Sequence, residues 1–431
     1  MTEPFTLTER NQIIHLIQRE VVPAIGCTEP VAVALCVARA TELLGYKPEH
    51  IDVKLSGNIL KNAMGVGIPG TGMIGLPIAI ALGALIGKSA YQLEVLRDCT
   101  PEAVEQGKAF IAEKRISIGL KEGISDKLYV EVLCQANGHE AVAIIAGGHT
   151  RFVYLSQDGE VLMDKREPCV GETQEEDVRL NFRRVYDFAM TAPLNEIDFI
   201  LESARLNKQA AEFSFKGDYG HGLGHILQGS LEEQLMGSSI FSKILAYTSG
   251  ACDARMGGAM IPVMSNSGSG NQGISCTNPV LIYAEETGKT REQLIRALML
   301  SHLTVIYIKQ SLGRLSALCG CVVASTGSSC GITYLMGGTY EQITFAVKNM
   351  IANLTGMICD GAKPSCALKV TTGVSTAVLS AVMAMENRCV TSLEGIIDED
   401  IDTSIRNLTE IGAQGMNETD RLVLQIMTSK R

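Results

Sequence analysis

From about residue 175 to the end, this 431-residue chain stops alternating and takes up a period of three to four residues. Apolar side chains recur at helical spacing in Glu175 to Thr191, Glu196 to Phe213, Gly229 to Thr248, Arg291 to Gln310, Thr339 to Leu354 and Val374 to Glu386, the pattern of helices with one buried stripe or more. Many of these segments are too rich in alanine and other small residues to lie on a surface, so they are expected to pack on one another. Residues 175–431 therefore read as a helical array.

Before residue 165 the pattern differs. Ile51 to Leu55 alternates as a strand, and Lys127 to Leu133, Ala141 to Ile145 and Arg151 to Leu155 do so again, separated by Asn137-Gly138 and Gly147-Gly148. Glycine turns between alternating runs predict an antiparallel meander. The charged stretch Lys165 to Glu176, with Pro168, reads as a linker. The expected fold class is α+β: an N-terminal α/β domain with the meander over residues 1–165, then a mostly helical C-terminal domain.

Two helix starts are explicit. Thr6-Leu7-Thr8-Glu9 spells a capping box, and Ile13, Ile14, Ile17 and Val21 follow at helical spacing. Gly26-Cys27-Thr28-Glu29-Pro30 opens a second helix that carries Val31 to Leu44 and stops at Gly45. Cys27 then precedes a helix N-terminus, where free amides and the positive end of the dipole favour a thiolate. A buried cysteine that merely packs is the open alternative.

Thirteen cysteines and a formal net charge of −10 narrow the function. An odd cysteine count and a start that is not an apolar leader argue against a disulfide framework and predict a reducing, cytoplasmic setting. Acidic balance without a long basic run weighs against nucleic acid and against anionic membranes, and favours a small-molecule substrate. The longest apolar segment, Gly72 to Gly87, is broken by Pro77 and is shorter than the roughly 20 residues a membrane span needs, so it reads as a buried helix. The sequence leaves open a homo-oligomer.

Five cysteines fall between Arg314 and Lys369: Cys319, Cys321, Cys330, Cys359 and Cys366. Cys319 and Cys321 flank Gly320, and Cys359 and Cys366 sit in a break between helical patterns. On loops beside glycine, sulfurs can turn toward one point, as a metal or an iron–sulfur cluster requires. By spacing alone, ligand and core readings of Cys319, Cys359 and Cys366 stand level. Two donor-rich stretches, Ser56-Gly57-Asn58 and Ser265 to Gly273, offer amides, hydroxyls and carboxamides suited to a carboxylate. Gly65 to Gly70 matches a dinucleotide fingerprint only on paper, because it lacks the strand–turn–helix context.

Together, Gly26-Cys27-Thr28-Glu29-Pro30, Ser56-Gly57-Asn58, Ser267 to Gly273 and the Cys319 to Cys366 stretch resemble the iron–sulfur L-cysteine desulfidase family, which is related to the α-chain of iron–sulfur L-serine dehydratases. The resemblance runs over nearly the whole chain. It implies β-elimination without pyridoxal phosphate (PLP), turning L-cysteine into hydrogen sulfide, ammonia and pyruvate. It also implies a 4Fe-4S cluster held by three cysteines with one iron open. Cys359 and Cys366 match two ligand positions, though only six residues separate them. Cys319 is expected as the third ligand, with Cys321 competing. Cys27 carries over as catalytic base or accessory ligand.

An open iron would bind the departing thiol as a soft ligand and act as a Lewis acid. Ser56, Gly57, Asn58, Ser267, Ser269 and Asn271 are the expected carboxylate donors, with Lys61 and Arg314 as cationic candidates or solvated surface. Two other readings stand beside this one: an L-serine dehydratase by the same mechanism, and an iron–sulfur or thiol sensor that binds without transforming.

Overall fold

The capping box at Thr6 forms as spelled: the Thr6 hydroxyl accepts from the Glu9 amide at 3.2 Å, and the Glu9 carboxylate accepts from the Thr6 amide at 3.0 Å. It starts α1 (Leu7–Glu20), followed by β1 (Pro23–Ile25), α2 (Thr28–Leu44), β2 (His50–Leu55), α3 (Gly57–Ala63), α4 (Leu76–Leu85) and α5 (Pro101–Ala112). Strands β3 (Ile116–Leu120), β4 (Tyr129–Ala136), β5 (His139–Ala146), β6 (Phe152–Gln157) and β7 (Glu160–Asp164) complete this part. The computed structural model describes residues 5–124, 126–166, 178–313 and 316–429. All of the expected linker except Lys165 and Arg166 lies outside the described residues, and so does Arg314.

The sheet is mixed, in the order β3-β2-β4-β5-β6-β7. Strand β2 runs parallel to β3, and the other pairings are antiparallel. Its buried face packs on α2 and α4, whose Val33, Leu35, Ile78 and Leu82 share a core with Val53, Val132 and Ile145. Helix α4 lies inside the segment that reads as a buried apolar helix, and all but two of its residues are buried.

The second part is helical: α6 (Phe182–Thr191), α7 (Leu194–Ile197), α8 (Leu201–Ser214), α9 (Leu223–Ile226), α10 (Ser230–Met236) and α11 (Ile240–Met256), then, after the short β8 (Pro262–Met264), α12 (Gly270–Glu286). Helices α13 (Arg291–Leu312), α14 (Gly320–Leu335), α15 (Tyr340–Leu354), α16 (Cys366–Met385), α17 (Ile401–Glu410) and α18 (Asn417–Thr428) follow. The periodic run from Gly229 to Thr248 is two helices, because Gly237 turns to a φ of 70° between them. Helix α16 is 20 residues long with a mean hydropathy of 1.5, so length and composition alone would let it cross a membrane. Its Val370, Val374, Ala377 and Ala381 are nevertheless buried in the protein core.

The two parts interlock. Ile13, Leu16 and Ile17 of α1 join the helical core with Phe182 and Phe188, and β1 pairs antiparallel with β8. At the other end of the chain, Leu424 of α18 packs on the first core. The start of α2 is thereby set among the helices of the second part.

Candidate active site

A helix start exposes amide groups with no partner inside the helix and carries the positive end of its dipole. Four helix starts meet at one cavity of about 110 Å³, although the first amides of α16 are already taken by the carbonyls of Lys363, Pro364 and Ser365. Cys27 caps α2, Ser269 caps α12, Cys319 caps α14, and Cys366 is the first residue of α16. All four residues line the cavity, together with Cys321 and Cys359.

Backbone pairing sets Cys319 beside Cys359. The Cys319 amide donates to the Met357 carbonyl at 2.9 Å, and the Cys359 amide donates to the Ala317 carbonyl at 2.7 Å. These bonds flank a β-bridge between Leu318 and Ile358. Cys366 reaches the same wall after a tight turn in which its amide donates to the Lys363 carbonyl at 2.9 Å. The Cys321 thiol, hydrogen-bonded to Cys319, holds the Cys319 thiol below its ordinary pKa despite burial, and Lys369 and Lys363 add to the effect. Burial and the Cys319 charge push Cys359 up to about 11.

The thiolate expected at Cys27 is corrected. Burial, reinforced by the neighbouring Glu29 carboxylate, pushes Cys27 well above the usual thiol range, and this outweighs the helix start. Cys27 is a thiol that donates to Glu29 Oε2 at 2.9 Å. Glu29 also accepts from Asn62 Nδ2 at 3.2 Å and from the Thr28 hydroxyl at 3.1 Å. Glu29 thus holds the thiol proton by a hydrogen bond, and its charge disfavours the thiolate at rest.

The expected carboxylate donors divide. Ser269 and Asn271 line the cavity. Ser267 turns away, its hydroxyl donating to Asn266 Oδ1 at 2.8 Å. Ser56, Gly57, Asn58 and Lys61 lie off the cavity wall. Ser56 bonds the Lys127 carbonyl and the Tyr129 amide. Gly57 packs under Leu424. Asn58 donates to Asp420 at 2.9 Å, and the Lys61 ammonium pairs with the same carboxylate. Neither of these side chains is left over for a substrate. Lys61 also donates to the Cys359 carbonyl at 3.4 Å, so it steadies the cysteine segment from behind.

Other wall residues were given no role from the sequence: Glu29, Asn62, Arg255, Gln272 and Lys369. The available signals were Glu29 inside the quoted Cys-Thr-Glu run and Arg255 closing the otherwise small-residue stretch Ala251 to Ala254.

Among the described residues, no three His, Cys, Asp or Glu side chains converge as a single metal ion requires. The donor set fits a larger, anionic centre better. Cys319, Cys359 and Cys366 approach one open cavity from different segments, with helix starts and Lys369 supplying positive potential.

The fold and cavity define an α+β protein with a buried cavity lined by several cysteines. The family model described as Serine dehydratase alpha chain matches residues 90–425, and the chain belongs to that family. It is 76% identical over 425 residues to a UPF0597 protein of Bacteroides fragilis, covering 99% of each chain. It is 46% identical to one of Oleidesulfovibrio alaskensis, over 98% of this chain and 99% of that one. A UPF0597 protein of Aeromonas hydrophila is 44% identical, over 97% and 96% of the two chains.

Proposed function

We propose that this protein eliminates the β-substituent of L-cysteine, yielding hydrogen sulfide, ammonia and pyruvate without PLP, at a 4Fe-4S cluster held by Cys319, Cys359 and Cys366. The observation that carries the reading is that these three cysteines and Cys27 border one cavity. When bound, such a cluster supplies a Lewis-acidic iron to which a departing thiol is a soft ligand.

The chain's own groups handle the proton. Glu29 accepts the Cys27 proton along the existing 2.9 Å hydrogen bond, and the thiolate so formed takes the proton from the substrate Cα. As the Cα–H pair moves into the Cα–Cβ bond, the Cβ–S bond breaks and hydrosulfide leaves. The aminoacrylate released from the site adds water and loses ammonia to give pyruvate. Burial keeps solvent from competing for the Cα proton, and the positive helix starts stabilise the negative charge that develops.

The family description favours a second reading, in which L-serine is the substrate and hydroxide leaves by the same proton path. The test is anaerobic assay of iron-reconstituted protein with each amino acid, measuring sulfide and pyruvate. Sulfide and pyruvate in equal amounts from L-cysteine support the first reading. Pyruvate from L-serine alone supports the second, and neither product from either amino acid rejects both.

A further inference from the structure

The cavity wall holds a buried cation that no carboxylate among the described residues satisfies. Arg255, in the last turn of α11, is 3% exposed. Its Nη1 donates to Asn271 Oδ1 at 3.0 Å, but its Nε has no partner. Among the described residues no carboxylate pairs with it. Glu29 is already engaged by Cys27, Thr28 and Asn62. Of the other cations on the wall, Lys369 bonds Asp360 and Lys309 has an interaction of its own. A buried charge without a counter-charge is costly, and an arriving anion removes that cost.

The guanidinium is also held in place. A Cβ on Gly270, the first residue of α12, would stand 2.2 Å from Arg255 Nε and 2.7 Å from its Cδ. Glycine at that position therefore lets the arginine lie directly on the start of a 17-residue helix. One residue beyond Asn271, Gln272 is 3% exposed and its Oε1 has no partner. The wall thus presents a charged planar donor whose Nε is free, the start of α12, and a buried Gln272 oxygen with no partner among the described residues. That set complements the carboxylate and ammonium of one α-amino acid.

We infer that Arg255 and the first turn of α12 bind the α-carboxylate of the substrate, with Gln272 Oε1 accepting from its ammonium group. The inference rests on reading the cavity as an amino-acid elimination site. It explains how a substrate becomes oriented: fixing the carboxylate and ammonium at α12 leaves the Cα–H and the side chain to face the rest of the cavity, where Cys27 and the cysteine wall lie.

The test compares wild type, Arg255→Lys and Arg255→Gln, all reconstituted, with iron content as control. L-Alanine, which has no leaving group, is titrated calorimetrically, KM and kcat are measured for L-cysteine, and cysteamine, which lacks the carboxylate, is measured as a competitive inhibitor. Arg255→Gln is expected to weaken L-alanine binding and raise KM for L-cysteine by about 10- to 100-fold. Arg255→Lys should show the smaller part of that loss, and neither substitution should change the inhibition constant of cysteamine. Unchanged L-alanine affinity and L-cysteine KM at wild-type iron content would overturn the inference. If Arg255→Gln does not fold, Arg255→Lys with the cysteamine comparison decides alone. If wild type forms neither sulfide nor pyruvate, the elimination reading fails, and the alanine titrations still judge Arg255: loss of binding on substitution supports its role, and equal or absent binding rejects it.

Discussion

Lys61, 1% exposed, forms an ion pair with Asp420, so that the third helix and the last one are tied together across most of the sequence. Asn58 donates to the other oxygen of that carboxylate, and Lys61 reaches on to the Cys359 carbonyl. The pair therefore couples the C-terminal helix to the segment that presents Cys359. Breaking a buried pair from one side strands the remaining charge and costs about 3 kcal/mol or more. Asp420→Ala should destabilise the protein by that order in denaturant unfolding, while Lys61→Met, which removes the buried charge itself, should cost less.

The Cys27–Glu29 hydrogen bond predicts paired kinetic effects. Cys27→Ala should lower kcat for L-cysteine by about 100-fold or more, with iron content unchanged. Glu29→Gln removes the proton acceptor and should act in the same direction. Full activity of Cys27→Ala would place the base elsewhere.

Gly361 adopts a φ of 89°, and a Cβ there would sit 2.2 Å from the Lys61 carbonyl oxygen. It lies between Cys359 and Cys366, where the chain must turn sharply against α3. Gly361→Ala should force the turn outward and reduce iron bound after anaerobic reconstitution, while Gly395→Ala, which a Cβ leaves clear of neighbours, should not.

His302 is fully buried, and burial lowers its pKa from 6.5 to about 3. It stays neutral between Asn266 Nδ2 at 3.1 Å and the Thr277 hydroxyl at 3.0 Å. Because the unfolded chain takes up this proton near pH 6.5 and the folded chain does not, the contribution is intact above that pH and is lost as pH falls. Between pH 7.5 and 5.5 it amounts to about 1.4 kcal/mol. Unfolding of His302→Gln at the two values should show a pH dependence smaller by that amount.

Apart from α4, read from its apolar run alone, the helices that were legible in sequence have a polar face. Thr6, Thr290 and Thr339 each begin one with a capping box. Helices α12 and α14 were not legible. Gly-Asn-Gln-Gly opens α12, Pro279 interrupts it, and α14 is a run of glycine, serine, threonine and cysteine with weak helix propensity. Packing makes them helical, and the same small residues explain why. A Cβ on Gly327 would meet the Ser301 carbonyl oxygen at 2.5 Å, and one on Gly331 would meet Val280 at 2.7 Å. Helices this close must be nearly bare on the facing side.

The cavity wall was legible where it is built of cysteines and hidden where it depends on which face of a turn points inward. Ser269 and Asn271 reach the cavity, whereas Asn58 and Lys61 are consumed by Asp420, a residue 359 positions after Lys61. No local pattern announces such a partner. Arg255 went unread for the converse reason, because a single arginine ending an apolar helix looks like a surface charge until its neighbours are in place.

The central claim is that Cys319, Cys359 and Cys366 hold one inorganic centre that the reaction requires. Its most direct test is iron and acid-labile sulfide per chain after anaerobic reconstitution, for wild type and for Cys359→Ala, with sulfide release from L-cysteine followed on the same samples. The account predicts about four of each in wild type, and loss of both the centre and the activity in the variant. Wild type that releases sulfide at full rate with no iron bound, or Cys359→Ala that keeps both, would contradict it.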